Sequence, residues 1–467
     1  MKKQLITLSL VLGSSLFTVC EAQYNVIFSF DSANGKFPYG DIMLAGKKFY
    51  GMTAYGGVNN KGCVFSIDTN GRNYKDLLDF DGTNGEQPWA GVTVSKNKLY
   101  AMTIVGGASG NGNIFSIDTN GTHYKDLYDF NGTDGAWPEG SLLLAGKKLY
   151  GMTTIGGVLD SGVIFSIDTN GNGYTVLHNF NYTNGGEPHG ALTCSENLLY
   201  GMTSSGGPFK GGVIFVIDTN GVGYRVIHNF TSQYCNSYGS LLLSNNLLFG
   251  MCQGGGSHTF GYVFSVDTGG NWFKDILDLD GYTTGGTPEG SLIISGSTLF
   301  GLDQWGGVNS RGVIFSVDST GSMFHAIHSF NGTDGFSPYA DVTLSGNMLY
   351  GMTPQGGTKN DGVIFSCSDT ATAKITTSVN STSAISTTVI VYPNPNTGVF
   401  TIQSSVASGR SSVEIYNMLG EKVYSQLSTF NSQPSINLSN QPGGVYLYRV
   451  IGEDGSTIGE GKMILQK

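Results

Sequence analysis

Charge is scarce in this chain. Only 12% of its residues are Asp, Glu, Lys or Arg, and the formal net charge is −10. A chain so short of basic residues does not capture nucleic acid or an anionic lipid surface electrostatically. Cysteine is scarce too. There are six; Cys20 falls in the N-terminal leader, which leaves Cys63, Cys194, Cys235, Cys252 and Cys367. An odd, scattered set is not a disulfide framework, and none forms a CxxC or Cys/His zinc spacing. Burial as small apolar residues is expected, with one disulfide, Cys235–Cys252, left open. No GxSxG, HExxH or Walker motif occurs, and no GxGxxG opens a helix after a strand. Neither a cofactor nor a metal is therefore expected. Long helix-period patterns are missing, and after the leader no apolar run is long enough to span a bilayer. What the 467 residues do hold is glycine (71) and aromatic side chains (12%). That balance suits many short strands joined by tight turns.

The leader, "MKKQLITLSLVLGSSLFTVCEAQ", has two lysines and then a short apolar stretch ending in "CEA". It reads as a secretory signal peptide, residues 1–22, cleaved after Ala22.

A phrase then returns. Its aromatic residue falls at Tyr50, Tyr100, Tyr150, Tyr200, Phe249, Phe300 and Tyr350. A period near 50 residues predicts a propeller or solenoid. Each unit holds four strand-like runs. In the third unit, "SLLLAG" (141–146) reads as a strand buried on both sides, followed by "KLYGMT" (148–153), "GVIFSID" (162–168) and "YTVLHNF" (174–180). Seven such units predict an all-β fold with a seven-bladed β-propeller over residues 23–369. The chain starts on a fourth-type strand, "NVIFSF", and the last unit lacks its fourth. The N-terminal strand is therefore expected to close the last blade and remove an exposed edge. In such a blade the second-to-third loops and the inter-blade loops share one face, and that face is where binding residues are expected.

Composition changes after Asp369. Residues 370–390 form a Ser/Thr-rich linker, and 391–467 read as a small Ig-like β-sandwich. "YPNPNTGVF", "IYNMLGEKVY" and "GGVYLYRV", in that order, resemble the type A sorting domain of the type IX secretion system of Bacteroidota. The resemblance implies a partner, the type IX machinery, and a protein that is secreted or attached to the outer cell surface. The repeats, at "LYGMTxxGG…GVIFSID", resemble the GloVer tandem repeats of bacterial surface proteins, which carry no chemistry to transfer. The "GVIFSIDTNG" hairpin is also similar to quinoprotein-like blades. Their late tryptophan is Phe80, Phe130 or Leu279 here, so quinone chemistry is not implied.

Two metal-like patterns have simpler readings. His178, His228 and His328 share one repeat position with Phe28, Leu78, Tyr128 and Leu277, which marks packing. The "DTNG" turns lack the further carboxylates of a calcium loop and close themselves through hydrogen bonds. One constellation varies with chemistry. The middle residue of the Pro-x-Gly-like segment before each innermost strand is Tyr39, Trp89, Glu139, His189, Tyr238, Glu289 or Tyr339. A closed ring would gather them as a collar around the channel mouth. Four aromatics, two acids and a histidine suit stacking on sugars or gripping a peptide. Loop aromatics Phe209, Phe260, Tyr282 and Trp305 would extend that surface. The expectation is a non-catalytic, monomeric module that binds a glycan or protein. The alternatives are a glycan-cleaving enzyme using Glu139 and Glu289, and a purely structural surface protein.

Overall fold

The computed structural model describes residues 23–232, 234–368, 389–392, 397–404, 410–417, 422–429, 435–452 and 457–466. The leader and the linker as far as residue 388 lie outside them. The chain divides into two compact units, Met1–Lys374 and Ile375–Lys467.

In the first unit, seven four-stranded antiparallel sheets follow one another along the chain. The third blade comprises Leu143–Ala145, Lys148–Thr153, Val163–Asp168 and Thr175–Asn179. The sequence reading of "SLLLAG" needs correction. Its strand is three residues long and only half-buried, whereas the second and third strands of the blade carry the fully buried positions. The innermost strand is the sheet edge nearest the axis, where neighbouring blades converge and leave no room for length. Thr93 Oγ1 of one blade donates to Leu142 O of the next (2.5 Å).

The core lies between blades. Tyr150, Met152, Ile164 and Phe180 of the third blade pack against Leu192, Leu199 and Phe215 of the fourth. Burying each such side chain contributes about 1.5–3 kcal/mol, so packing between blades is a large part of what holds the ring together. Gly151 stands opposite Phe165 in the adjacent strand. A Cβ there would lie 2.5 Å from the ring. The required smallness thus comes from the blade's own phenylalanine. Between Ile164 and Phe165 the pairing with the fourth strand slips, which leaves Leu177 as a bulge residue. That leucine packs on Gly221, in the third-to-fourth turn of the next blade. A bulge that re-aims an aliphatic side chain explains why this position is always aliphatic.

The recurring histidines pack as expected. His178 lies flat on Tyr224 of the following blade (centroids 3.7 Å apart), His228 on Phe273 (4.0 Å) and His328 on Tyr24 (3.8 Å). Tyr128 stacks on Tyr174 in the same way. Burial pushes the His178 imidazole down to about 4, which keeps it neutral in the stack.

The ring closes through the N-terminus. Tyr24–Ser29 pairs antiparallel with Val363–Ser368, from Tyr24 opposite Cys367 to Ser29 opposite Val363. Across the seam Phe37 N donates to Asp361 O (2.9 Å), and Thr343 Oγ1 donates to Ile42 O (2.5 Å). The second bond repeats the Thr93–Leu142 link, so the seam is built like the other joints. Blade five carries the disulfide Cys235–Cys252 (Cα–Cα 4.6 Å), while Cys63 and Cys367 are buried.

The second unit is a β-sandwich. One sheet holds Val389–Tyr392, Val399–Ser404 and Ser435–Asn437; the other orders Lys422–Thr429, Arg410–Tyr416, Gly444–Gly452 and Thr457–Leu465. Phe400, Val413, Ile415, Ile436, Val450 and Met463 fill the space between them.

Candidate functional site

The inter-blade loops pair with the second-to-third loops, as in the bridges Lys36–Tyr55 and Ala136–Ile155, so both sets lie on one face. The residue just before each proline of the collar segment is held at positive φ. Phe37, Gln87, Trp137, Glu187, Asn236, Thr287 and Ser337 have φ between 41° and 57°, with Asn236 standing before Ser237 where the others precede proline. Such a non-glycine conformation costs on the order of 1 kcal/mol and persists where neighbours impose it. Here Trp137 N donates to Asn111 O (3.2 Å) and Trp137 O accepts from Thr154 N (3.0 Å). The kink turns the next residues toward the axis. The residue after each collar position is Gly or Ala because the chains nearly touch there. A Cβ on Gly140 would sit 2.3 Å from Gly190 O.

All seven collar residues line one cavity of about 120 Å³ at the channel mouth. They fall into two arcs. Tyr339, Tyr39 and Trp89, from consecutive blades, touch in series, with Tyr39 centred 5.2 Å from Tyr339 and 5.1 Å from Trp89. Trp89 remains 37% exposed, so its face is available. The other arc is polar. His189 Nδ1 and Glu139 Oε2 are 2.6 Å apart, and His189 is centred 4.4 Å from Tyr238. Gln253 Nε2 donates to Glu289 Oε1 (2.7 Å). Burial, reinforced by the charge of Glu139, pushes the Glu289 carboxyl up to about 7 against the Gln253 bond. Trp305 lies outside this cavity. It packs edge-on to Phe336 (6.2 Å) in the neighbouring inter-blade loop and is 46% exposed. Phe209, Phe260 and Tyr282 are exposed on the loops and do not line the cavity either.

Beneath the collar is a second ring that the sequence reading missed. It is formed two residues further along each repeat, by Asp41, Ser141, Ser240, Ser291 and Asp341. Five of the seven blade joints are bonded through it, Gly91 N donating to Ser141 Oγ (3.0 Å) at one of them. Ala191 N donates to Ser240 Oγ (2.8 Å), Ser240 N to Ser291 Oγ (2.8 Å), Ser291 N to Asp341 Oδ1, and Asp341 N to Asp41 Oδ1 (2.9 Å). Asp41 and Asp341 meet across the seam, half-buried in the wall of the cavity. Burial raises both carboxyls, and the charge of Asp41 helps push Asp341 up to about 8. Each carboxyl thus favours its protonated form more than a free aspartate does. A polar residue two positions after the collar in five of the seven repeats, with Gly91 and Ala191 the exceptions, was the available signal.

Comparison with known families places this geometry. The Gloeobacter/Verrucomicrobia repeat matches residues 14–119, 77–243 and 231–397, well over half of the chain. The chain belongs to the Gloeobacter/Verrucomicrobia repeat family. The secretion system C-terminal sorting domain matches residues 390–466. This repeat protein is thus a substrate of the type IX secretion route, delivered to the cell surface or secreted. No curated protein matches it. Among solved structures it is similar to PorZ, an essential surface component of the type IX secretion system of Porphyromonas gingivalis (13% identity, TM-score 0.44). The match covers 95% of this chain and 61% of PorZ, so the chain spans under two thirds of that relative. It is also similar to a fungal alcohol oxidase of the AA5 family solved with copper (13% identity, TM-score 0.45), covering 92% of this chain and 98% of the oxidase. Neither likeness carries a statement about the chemistry of this repeat protein. Among the described residues, no three His, Cys, Asp or Glu side chains are grouped to hold a metal ion.

Proposed function

We propose that the propeller is a non-catalytic binding module of an exported protein, and that it grips a glycan or protein ligand at the channel mouth. The observation that carries this reading is the contrast within the repeat. Seven similar blades present four different residue types, Tyr, Trp, Glu and His, to one shared cavity. The cavity is smaller than the several hundred Å³ of pockets that engulf a ligand. The ligand therefore inserts one protruding group, while its body rests on the loop face. The test is to screen the purified protein against glycans and against host or matrix proteins, then repeat with Trp89→Ala plus Tyr339→Ala. Binding lost in the double variant, with the fold intact, supports the reading; unchanged binding removes the collar from it.

A second reading, a glycan-cleaving enzyme, is favoured by one observation. The Glu289 carboxyl, pushed up to about 7, holds a proton beside the charge of Glu139, as an acid and its carboxylate partner would. It requires turnover of a polysaccharide that disappears in Glu139→Gln or Glu289→Gln.

A further inference from the structure

We propose that the group inserted into the channel mouth is a cation: a primary ammonium or guanidinium on a flexible arm, held between the aromatic arc and the carboxyl groups of Glu289, Asp41 and Asp341. This rests on reading the mouth as a binding site and names the chemistry of its ligand.

The lining is one-sided in charge. Four carboxyl groups, Glu139, Glu289, Asp41 and Asp341, face the cavity, and neither Lys nor Arg does. Only Glu139 meets an imidazole, that of His189. Glu289 is met by a neutral amide, and the throat pair by backbone N–H groups and hydroxyls. Carboxyl groups enclosed without a cation keep their protons, because the interior penalises an uncompensated charge. This is the condition of Glu289 and of the Asp41–Asp341 pair. An incoming ammonium supplies the missing charge and displaces those protons.

The opposite wall fits the same guest. Trp89, Tyr39 and Tyr339 form a continuous aromatic arc, and an aromatic face attracts a cation, with Trp the strongest. Size agrees. The space of about 120 Å³ holds several waters, each needing on the order of 10–15 Å³, and so admits a charged head and a few methylenes. A bare metal ion lacks a ligand set among the described residues. An anion would meet carboxyl groups.

The experiment is calorimetric titration of the purified protein with four probes: N-acetyl-lysine methylamide, its neutral isostere N-acetyl-norleucine methylamide, glucosamine and glucose. The two amines are expected to bind at least tenfold more tightly than their neutral counterparts. The tighter amine identifies the source as a peptide or an amino sugar. Glu289→Gln is expected to weaken amine binding at least tenfold. Equal affinity of charged and neutral probes, or no heat from either amine, overturns the proposal. Competition on the unaltered protein supplies a measurement that needs no variant. A screened ligand that Trp89→Ala plus Tyr339→Ala abolishes, but that amines fail to displace, leaves the mouth a binding site and overturns its cationic specificity.

Discussion

The wall of the ring and its axial mouth are made from the same seven repeats, and they treat substitution in opposite ways. In the wall, the second strand carries glycine at residues 51, 151, 201, 250, 301 and 351, and Ala101 is the one departure. Each faces a phenylalanine ring that a larger side chain would strike. Where the wall does vary, several positions change together. Blades one, two and five carry Asp76–Asp79, Asp126–Asp129 and Asp275–Asp278 in the fourth strand, with Cys63, Asn113 or Tyr262 beside them. Four other blades place Val163, Val213, Val313 and Val363 there, without the acid pair. An aspartate pair near the blade interior needs polar company: burial and Asp79 push Asp76 up to about 6. At the mouth, by contrast, tyrosine, tryptophan, glutamate and histidine replace one another at a single position. Their side chains meet a shared cavity and the collar residues of adjacent blades. Variation of chemistry around one shared cavity therefore marks the surface available for recognition.

Three experiments strain this contrast. The largest effect is expected from Gly151→Val. Its branched side chain cannot share space with Phe165, and overpacking of this kind costs about 3 kcal/mol. Thermal or denaturant unfolding measures it. Gly151→Ala should cost far less, since blade two tolerates Ala101 opposite Phe115.

The next concerns a wall change that lacks compensation. Asp303 occupies the place of Thr53, Thr103, Thr153, Thr203 and Thr353, is fully buried, and neither carboxyl oxygen has a hydrogen-bond partner. In five blades a tyrosine hydroxyl enters this region, as Tyr174 donates to Asp134 O (2.7 Å); blade six has Phe324 instead. Burial holds the Asp303 acid far above the usual carboxylate range. Asp303→Thr is expected to stabilise the propeller by about 1–3 kcal/mol, the cost of an unsatisfied buried polar group. The gain should be larger at pH 8 than at pH 5. The unfolded aspartate is ionised at both, and the folded acid must keep its proton against a rising pH.

The smallest effect belongs to the mouth. Glu289 and Asp341 bind protons more tightly folded than unfolded, with folded values of about 7 and 8. From about pH 4 upward the folded state holds the extra protons. Stability therefore falls as pH rises, until the folded groups ionise near pH 7 to 8. The melting temperature should drop by a few degrees between pH 5 and 8. Glu289→Gln plus Asp341→Asn should flatten that slope while changing stability at pH 5 little. An unchanged slope would mean that the mouth carries no strained charge.

Much of the fold was legible in the chain because it is written seven times. The period, the four strands, the closing strand and the packing role of His178, His228 and His328 all follow from comparing one unit with the next. The collar was legible for the same reason, as a position whose chemistry changes from blade to blade on the face where the longer loops lie. Three things were not. The innermost strand is half-buried because blades converge on the axis, which no single repeat reveals. Trp305 and its loop companions share the collar's face without reaching its cavity. The bonded ring of Asp41, Asp341 and the throat serines joins residues up to 300 apart, and Asp41 raises the proton affinity of Asp341 only because the seam brings them together. Local pattern and repetition determine which residues form strands and turns, since backbone geometry and the packing of adjacent blades are short-range. Which side chains meet across the axis, and which acids lose their charge there, is decided only when the ring closes and excludes water around them.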